Sequence, residues 1–196
     1  ASREPTISGG YVFKKDRLDP GDGGFNVAGL GRLGWVEPKE REVSSRQRAW
    51  LVAHMNEVNA AISAGNGVNP ATGKHFTEYI DQFSWLRHHW LNTLAMNVDG
   101  FRLSGYYYKH RNDTNGGKIG AGPIWDFDRS LESNDPRDND PTTWYLDLPE
   151  PRTPLFWFRV FDDLEFRQAY IDRWSALREA AFSDANLLST IDRMVE

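Results

Sequence analysis

The chain has 196 residues, of which 26% are charged, and its formal net charge is −5. This composition is typical of one folded domain, and the acidic balance argues against a nucleic-acid partner, which requires a surplus of Lys and Arg. The absence of cysteine excludes disulfides, thiolate zinc sites and cysteine nucleophiles, and no apolar run is long enough to span a bilayer.

The N-terminal part predicts a strand, a loop and a helix in that order. Gly10–Lys14 has the aromatic-rich alternation of a strand, and the Gly-rich stretch 19–38 predicts a long loop. The Ser44-x-x-Gln47 pattern is a capping box, in which each side chain bonds the backbone of the other residue. We therefore expect a helix that begins at this box and runs to about Ser63.

A second helix and a hairpin are predicted next. Ser84 is expected to cap a helix that runs to about Asn97, and Gly100 suits the left-handed position that follows a helix. Two strand-like runs come after it, Ser104–Lys109 and Lys118–Phe127. The connection between them contains Asn-Gly, which favours a tight turn, so these runs predict a β-hairpin.

The C-terminal part is predicted to be helical after an irregular segment. Residues 129–154 are acidic and rich in proline, which favours irregular structure. Leu155–Phe161 and Asp163–Phe182 show the apolar spacing of helices, and Ser183 is placed to cap a last helix. The sum is a helix-dominated α+β fold with a central β-hairpin, in one domain over residues 1–196.

Two carboxylates stand close together at the end of the second hairpin run, in Trp125-Asp126-Phe127-Asp128. Side chains two residues apart on an extended segment point the same way, so Asp126 and Asp128 can converge on one cation while the two rings anchor the other face. A hard, oxygen-liganded ion such as Mg²⁺, brought with phosphate, suits this pair. The alternative is a strand end that carries two solvated acids.

The order of the acidic residues along the chain favours phosphoryl transfer. Asp99 follows the second helix in Asn97-Val-Asp99, the hairpin comes next, and Asp126 comes after the hairpin. Phosphoryl transfer needs one carboxylate near the attacking hydroxyl and another that holds magnesium on the phosphates. Protein kinases place these carboxylates in the same order, on either side of a short hairpin.

Two segments carry a resemblance to a known family, Asn97-Val-Asp-Gly-Phe-Arg-Leu-Ser-Gly-Tyr-Tyr-Tyr-Lys109 and Gly122-Pro-Ile-Trp-Asp-Phe-Asp128. They resemble the motifs of the CotH family, bacterial spore-coat-type atypical protein kinases that also occur in secreted and cell-surface proteins. The resemblance extends over residues 9 to 180 and includes Gly9-Gly-Tyr-Val-Phe-Lys-Lys-Asp-Arg17. It implies an atypical protein-kinase-like C-terminal lobe that uses ATP and Mg²⁺ to phosphorylate Ser or Thr of a secreted, surface or coat protein.

The resemblance also implies roles for individual residues. Asp99 matches the family's catalytic Asp, which orients or deprotonates the acceptor hydroxyl. Asp126 matches the magnesium-binding Asp, and Asp128 is a further ligand or a neighbour of the ligand.

Three more residues are expected at the nucleotide. Asn97 belongs to the Asn-x-Asp-Gly motif, and Lys109 is expected to meet phosphate unless it is a solvated strand-end lysine. Trp125 is expected to line the nucleotide pocket unless it is a ring of the core.

The sequence departs from the family pattern in two places. A CotH kinase domain is longer, and we expect the nucleotide-covering part that precedes Gly10 in the family to be absent, which would weaken ATP binding by this fragment. After the acidic motif this chain reads Arg129-Ser-Leu-Glu-Ser-Asn134 where many members have a Phe-Gly-Asn-like ending. Asn134 is the candidate for a second magnesium ligand.

Three alternatives stay open. The first is a non-catalytic scaffold domain, derived from a kinase, in a surface or coat assembly. The second is carbohydrate processing, because the chain is rich in Trp and carries carboxylates, and a glycosidase needs two carboxyl groups about 5–10 Å apart. The third concerns the oxygen-rich run 134–140, which is expected to be a solvated acidic loop, with a calcium site as the rival interpretation.

Overall fold

A five-stranded antiparallel sheet lies at the centre of the structure, a computed structural model that describes residues 3–133, 136–143 and 155–195. Its strands follow the order β2-β3-β1-β4-β5 across the sheet, and each neighbouring pair is antiparallel. The strands are β1 Tyr11–Asp16, β2 Gly24–Val27, β3 Gly31–Glu37, β4 Ser104–Lys109 and β5 Ile119–Ala121.

Six α-helices surround this sheet within the described residues. Helix α1 packs against β2, α2 and α4, whereas α3 packs against β5 and α5. The helices are α1 Ser45–Ser63, α2 Phe76–Tyr79, α3 Gln82–Leu94, α4 Leu155–Val160, α5 Leu164–Glu179 and α6 Asp184–Val195. The α+β class is confirmed, and the predicted hairpin is present as β4 and β5, which form one end of the five-stranded sheet. No described helix combines the length and the apolar character that a bilayer crossing needs.

The two faces of the sheet differ in character because successive strand residues point to opposite sides. Phe13 on β1 lies opposite Tyr107 on β4, and their stacked rings, with centroids 5.8 Å apart, belong to the buried core. On the other side Lys14 lies opposite Tyr106, and Asp16 lies opposite Ser104. We call this second side, defined by these four residues, the polar face.

The stretch 19–38 is not the long loop that we predicted, because it contains β2, β3 and the turn between them. Glycines suggested a loop, yet Gly24 and Gly34 lie opposite each other inside the strand pair. The signal that sequence reasoning missed is a short alternation of buried apolar residues, namely Phe25, Val27, Leu33 and Trp35.

The second hairpin strand is also shorter than predicted. Strand β5 ends at Ala121, and Gly122-Pro123 follows it. Proline cannot donate to a ladder of backbone hydrogen bonds, so pairing stops there. The acidic motif 125–128 therefore lies in a loop, where Asp126 adopts the left-handed conformation with φ of 59°.

Both ends of the second helix differ from the prediction. Asp81, not Ser84, is the N-cap of α3, since its side chain accepts a hydrogen bond from the backbone N–H of Ser84. After the helix ends, Met96 rather than Gly100 adopts the left-handed conformation, with φ of 48°. Gly100 instead allows close packing, because a Cβ atom at this position would lie 2.1 Å from Oδ1 of Asn92.

The C-terminal helices are confirmed, and Ser183 Oγ accepts a hydrogen bond from the backbone N–H of Asn186 at the start of α6. The segment that precedes these helices is irregular where the structure describes it, at 129–133 and 136–143. Asn134, our candidate second magnesium ligand, lies outside the described residues, as does 144–154.

The capping box of α1 gives a direct test of the local reasoning. Ser44 Oγ accepts from the backbone N–H of Gln47 at 3.2 Å, and Gln47 Oε1 accepts from the backbone N–H of Ser44 at 3.1 Å. Ser44→Ala should lower the free energy of unfolding by about 1 kcal/mol, measured by urea denaturation. Ser45→Ala, one residue into the helix, is the matched control, and equal losses in both variants would contradict the assignment of the cap.

Candidate functional site

The two loops that carry the acidic motifs are held side by side by Asn97. Its side-chain Nδ2 donates to Asn92 Oδ1 at 3.1 Å and to the backbone carbonyl of Asp126 at 3.3 Å. Its Oδ1 accepts from the backbone N–H of Asp99 at 3.3 Å. Because this amide is fully buried and engaged at both ends, Asn97 positions the loops and does not reach a ligand, which corrects our expectation that it contacts the cofactor.

A second contact joins the same loops. The backbone N–H of Val98 donates to the carbonyl of Arg129 at 3.4 Å, directly after the acidic motif. The structure therefore brings Asp99 next to the loop of Asp126 and Asp128, as the order of motifs suggested.

Asp99 lies at the rim of this site in a double ion pair. Its Oδ1 accepts from Nη2 of Arg102 at 2.8 Å, and its Oδ2 accepts from Nη1 of Arg129 at 3.4 Å. Asp99 is only 8% exposed, whereas the side chains of Arg102 and Arg129 are 38% and 41% exposed. Asp99 is thus buried and held in place by two arginines whose own side chains are exposed to solvent.

Asp126 and Asp128 form the exposed acidic pair of the site, and their side chains are close enough to affect each other's charge. The pKa of Asp126 is raised, first by partial desolvation and then by the neighbouring side chain of Asp128. Asp16 and Asp99 add smaller contributions of the same sign. Because like charges this close repel each other, a bound cation would relieve the repulsion.

The composition of this pair limits which metal it can hold. Among the described residues, no group of three or more His, Asp or Glu side chains is arranged to hold a metal ion. Mg²⁺ is commonly bound by one or two carboxylates together with water and substrate phosphates, without an all-protein cage. Asp126 and Asp128 therefore fit magnesium that arrives with a nucleotide, and they fit a structural metal site poorly.

An exposed aromatic pair lies beside the acidic motif. Trp125 is 54% exposed, so it is not a ring of the core, and its ring centroid lies 5.5 Å from that of Tyr106 on the polar face. Aromatic rings of this kind are platforms on which nucleic-acid bases stack. The location of Trp125 is therefore compatible with the expected contact to a nucleotide.

Asp16 is a member of the site that sequence reasoning missed. It ends β1 on the polar face, and its charge contributes to the raised pKa of Asp126. The only sequence signal was its place in the run Gly9–Arg17, to which we gave no chemical role. Its approach to Asp126 depends on the pairing of β1 with β4, which the sequence did not predict.

Lys109 does not belong to the site. Its Nζ donates to the carbonyls of Ser8 and His110, both at 2.8 Å, and to Oδ1 of Asn112 at 3.2 Å. The residue is 1% exposed, and burial lowers its pKa to about 8. Lys109 also ends β4, whereas Asp99 precedes the start of this strand at Ser104. The strand itself is roughly 17 Å long, so it separates Lys109 from the loop of Asp99. These contacts correct both our phosphate assignment and the alternative of a solvated lysine.

The site is an open rim and not a closed cavity. Open grooves do occur elsewhere, one between residues 62–67 and 159–165, another beside Trp174 and Leu131. Neither is lined by the acidic pair or by Asp99. The exposure of Asp126, Asp128 and Trp125 means that any ligand there would remain partly in contact with solvent.

Lys109→Met tests the structural role of this lysine. The substitution leaves three oxygen acceptors without their donor, so it should lower the free energy of unfolding by roughly 2 kcal/mol or more. The affinity of the folded protein for Mg²⁺-ADP should stay the same, which titration calorimetry can measure. Lys39→Met, at an exposed position, is the control. If Lys109→Met instead lost affinity for Mg²⁺-ADP while its stability was unchanged, Lys109 would be a nucleotide-binding residue.

Comparison with known proteins gives one match. A family model described as CotH kinase protein matches residues 31–196, which include both acidic motifs and most of the fold. Comparisons with curated proteins and with solved structures gave no match. Since the matched segment spans well over half of the sequence, the chain belongs to the CotH kinase protein family.

Proposed function

We propose that this chain is a metal-dependent protein kinase that transfers the γ-phosphoryl group of ATP to a Ser or Thr hydroxyl of another protein. One observation carries the proposal: the neighbouring carboxyl groups of Asp126 and Asp128 lie on a loop that Asn97 ties to the loop of Asp99. Membership of a kinase family supports the same chemistry.

Asp99 is assigned to the acceptor. Arg102 and Arg129 fix the orientation of its carboxylate, whose oxygens each have a further lone pair with which to accept a hydrogen bond from a hydroxyl. In the transfer, the hydroxyl oxygen forms a bond to the γ-phosphorus, and the bond from that phosphorus to the bridging oxygen breaks. The electron pair of the broken bond leaves with ADP, and the hydroxyl proton passes to the carboxylate of Asp99.

Asp126 and Asp128 are assigned to magnesium. Neither carboxylate has an ion-pair partner within the part of the chain that the structure describes, whereas Asp99 has two arginines. When bound, the ion would offset negative charge on the phosphates during transfer. The side chain of Trp125 is assigned to the base of the nucleotide, because it is exposed and its ring packs at an angle of 46° against that of Tyr106.

The acceptor and its compartment are proposed on the family resemblance. CotH-like kinases belong to spore coats and to secreted or cell-surface proteins, so we propose a secreted, surface or coat protein as the acceptor. We propose the same location for the chain itself.

Neutralising the acidic pair tests the proposal. Asp126→Asn and Asp128→Asn should each lower the rate of phosphate transfer from labelled ATP, by about a hundredfold or more, because charge stabilisation in the transition state is lost. Asp113→Asn removes an acid from the exposed turn before β5 and should leave the rate unchanged. Circular dichroism checks that all three variants fold, and transfer at the original rate in both pair variants would refute the metal assignment.

A non-catalytic scaffold is the second candidate, and the double ion pair of Asp99 favours it. If both arginines stay on this carboxylate permanently, they compete with an acceptor hydroxyl. Calorimetric titration with ATP, in the presence and absence of Mg²⁺, separates the two candidates. The kinase should release heat that depends on magnesium, whereas a scaffold should release none.

A further inference from the structure

A buried lysine lies on the polar face, close to the proposed metal pair. Lys14 is directly opposite Tyr106 in the pairing of β1 with β4, so the two side chains are on the same side of the sheet. Tyr106 in turn contacts the ring of Trp125, which precedes Asp126 in the chain. Lys14 and Trp125 are therefore both neighbours of Tyr106.

The ammonium group of Lys14 lies close to the carboxylates of two aspartates. Its Nζ lies 3.2 Å from Oδ2 of Asp22 and 3.8 Å from Oδ2 of Asp16. Asp16 therefore contacts Lys14, and its negative charge also raises the pKa of Asp126. The charges of Lys14, Asp16, Asp22 and Asp126 all affect the pKa of Tyr106, although burial is its largest cause.

The backbone around Lys14 is shaped to admit its long side chain. Gly34 on β3 lies opposite Lys14, and a Cβ atom there would stand 3.2 Å from Cγ of the lysine and 2.6 Å from Leu18. The residue is 9% exposed, and only its contact with Asp22 is short enough for a hydrogen bond. An ammonium has three donors, so Lys14 retains the capacity to bind a further anion.

We infer that Lys14 is the cation that contacts the phosphates of the bound nucleotide, an inference that rests on the function proposed above. A nucleotide polyphosphate at Asp126 and Asp128 extends along the polar face, and it takes the place of Asp22 at Nζ of Lys14. Asp16 then keeps the ammonium oriented. Lys14 lies outside residues 31–196, so the family match does not assign it a role.

The neighbouring Lys15 provides a matched control. It points to the other side of β1, where its Nζ donates to the carbonyl of Leu30 at 2.9 Å. Lys14 and Lys15 are thus adjacent in sequence but lie on opposite faces of the sheet. Substitution of either residue by Met removes one positive charge.

The experiment measures the affinity of the chain for ADP with Mg²⁺, by calorimetry. Lys14→Met should weaken ADP binding about tenfold to a hundredfold, which is the loss expected for a charge-assisted hydrogen bond. Lys14→Arg should recover part of this loss, and Lys15→Met should bind as the unmodified chain does. Asp22→Asn should bind ADP several times more tightly, because the competing carboxylate charge is gone. A merely structural ion pair would change thermal stability but not these affinities.

Each outcome separates the inference from the function on which it rests. If the unmodified chain binds no ADP, the proposed function fails and the inference fails with it. If it binds ADP and Lys14→Met binds equally well, the inference alone is overturned. Should Lys14→Met fail to fold, as judged by near-ultraviolet circular dichroism, Asp22→Asn decides: tighter binding supports the inference, and unchanged binding overturns it.

Discussion

The side-chain amide of Asn97 is the interaction on which the proposed site depends. It joins the loop after α3 to the loop after β5 through the carbonyl of Asp126, and it also fixes the backbone of Asp99. These loops are distant in sequence, so contacts between them, and not the chain itself, must hold them together. A buried, fully bonded amide can hold them together because breaking its hydrogen bonds would leave polar groups unpaired in the interior.

The distribution of positive charge explains which acids are left for a metal. Asp99 is neutralised by Arg102 and Arg129, and Lys14 lies between two further acids, Asp16 and Asp22. Asp126 and its neighbour Asp128 have no such partner among the contacts of the described residues. Repulsion within an exposed pair is tolerated because water screens it, and it is the feature that a divalent cation would remove.

Much of the helical structure could be predicted from the sequence because its signals are local. The capping box at Ser44 and the apolar spacing of α1 and α5 involve residues within a few turns of each other. The sheet was harder to predict, since strands β2 and β3 are short and glycine-rich, and β1 pairs with the distant β4. The alternation within a strand can indicate the strand, but it does not show which distant strand pairs with it.

The site was predicted in outline for a related reason. The motif residues Asp99, Asp126 and Asp128 could be identified in the sequence, because their spacing around a hairpin carries the chemistry. The burial of Asn97 and Lys109 could not be predicted, since it depends on which strand end faces which loop. The same limit concealed Asp16 and Lys14, whose importance appears only when β1 is placed beside β4.

The most direct test of the account is to locate a bound metal in solution. Mn²⁺ can replace Mg²⁺, and its unpaired electrons broaden the nuclear magnetic resonance signals of nearby amides. With ADP present, we expect selective broadening at residues 97–100 and 126–129 and at the end of β1, with little effect on the turn 111–117. Broadening centred on that turn, or none at either acidic loop, would contradict the claim that these loops form one metal and nucleotide site.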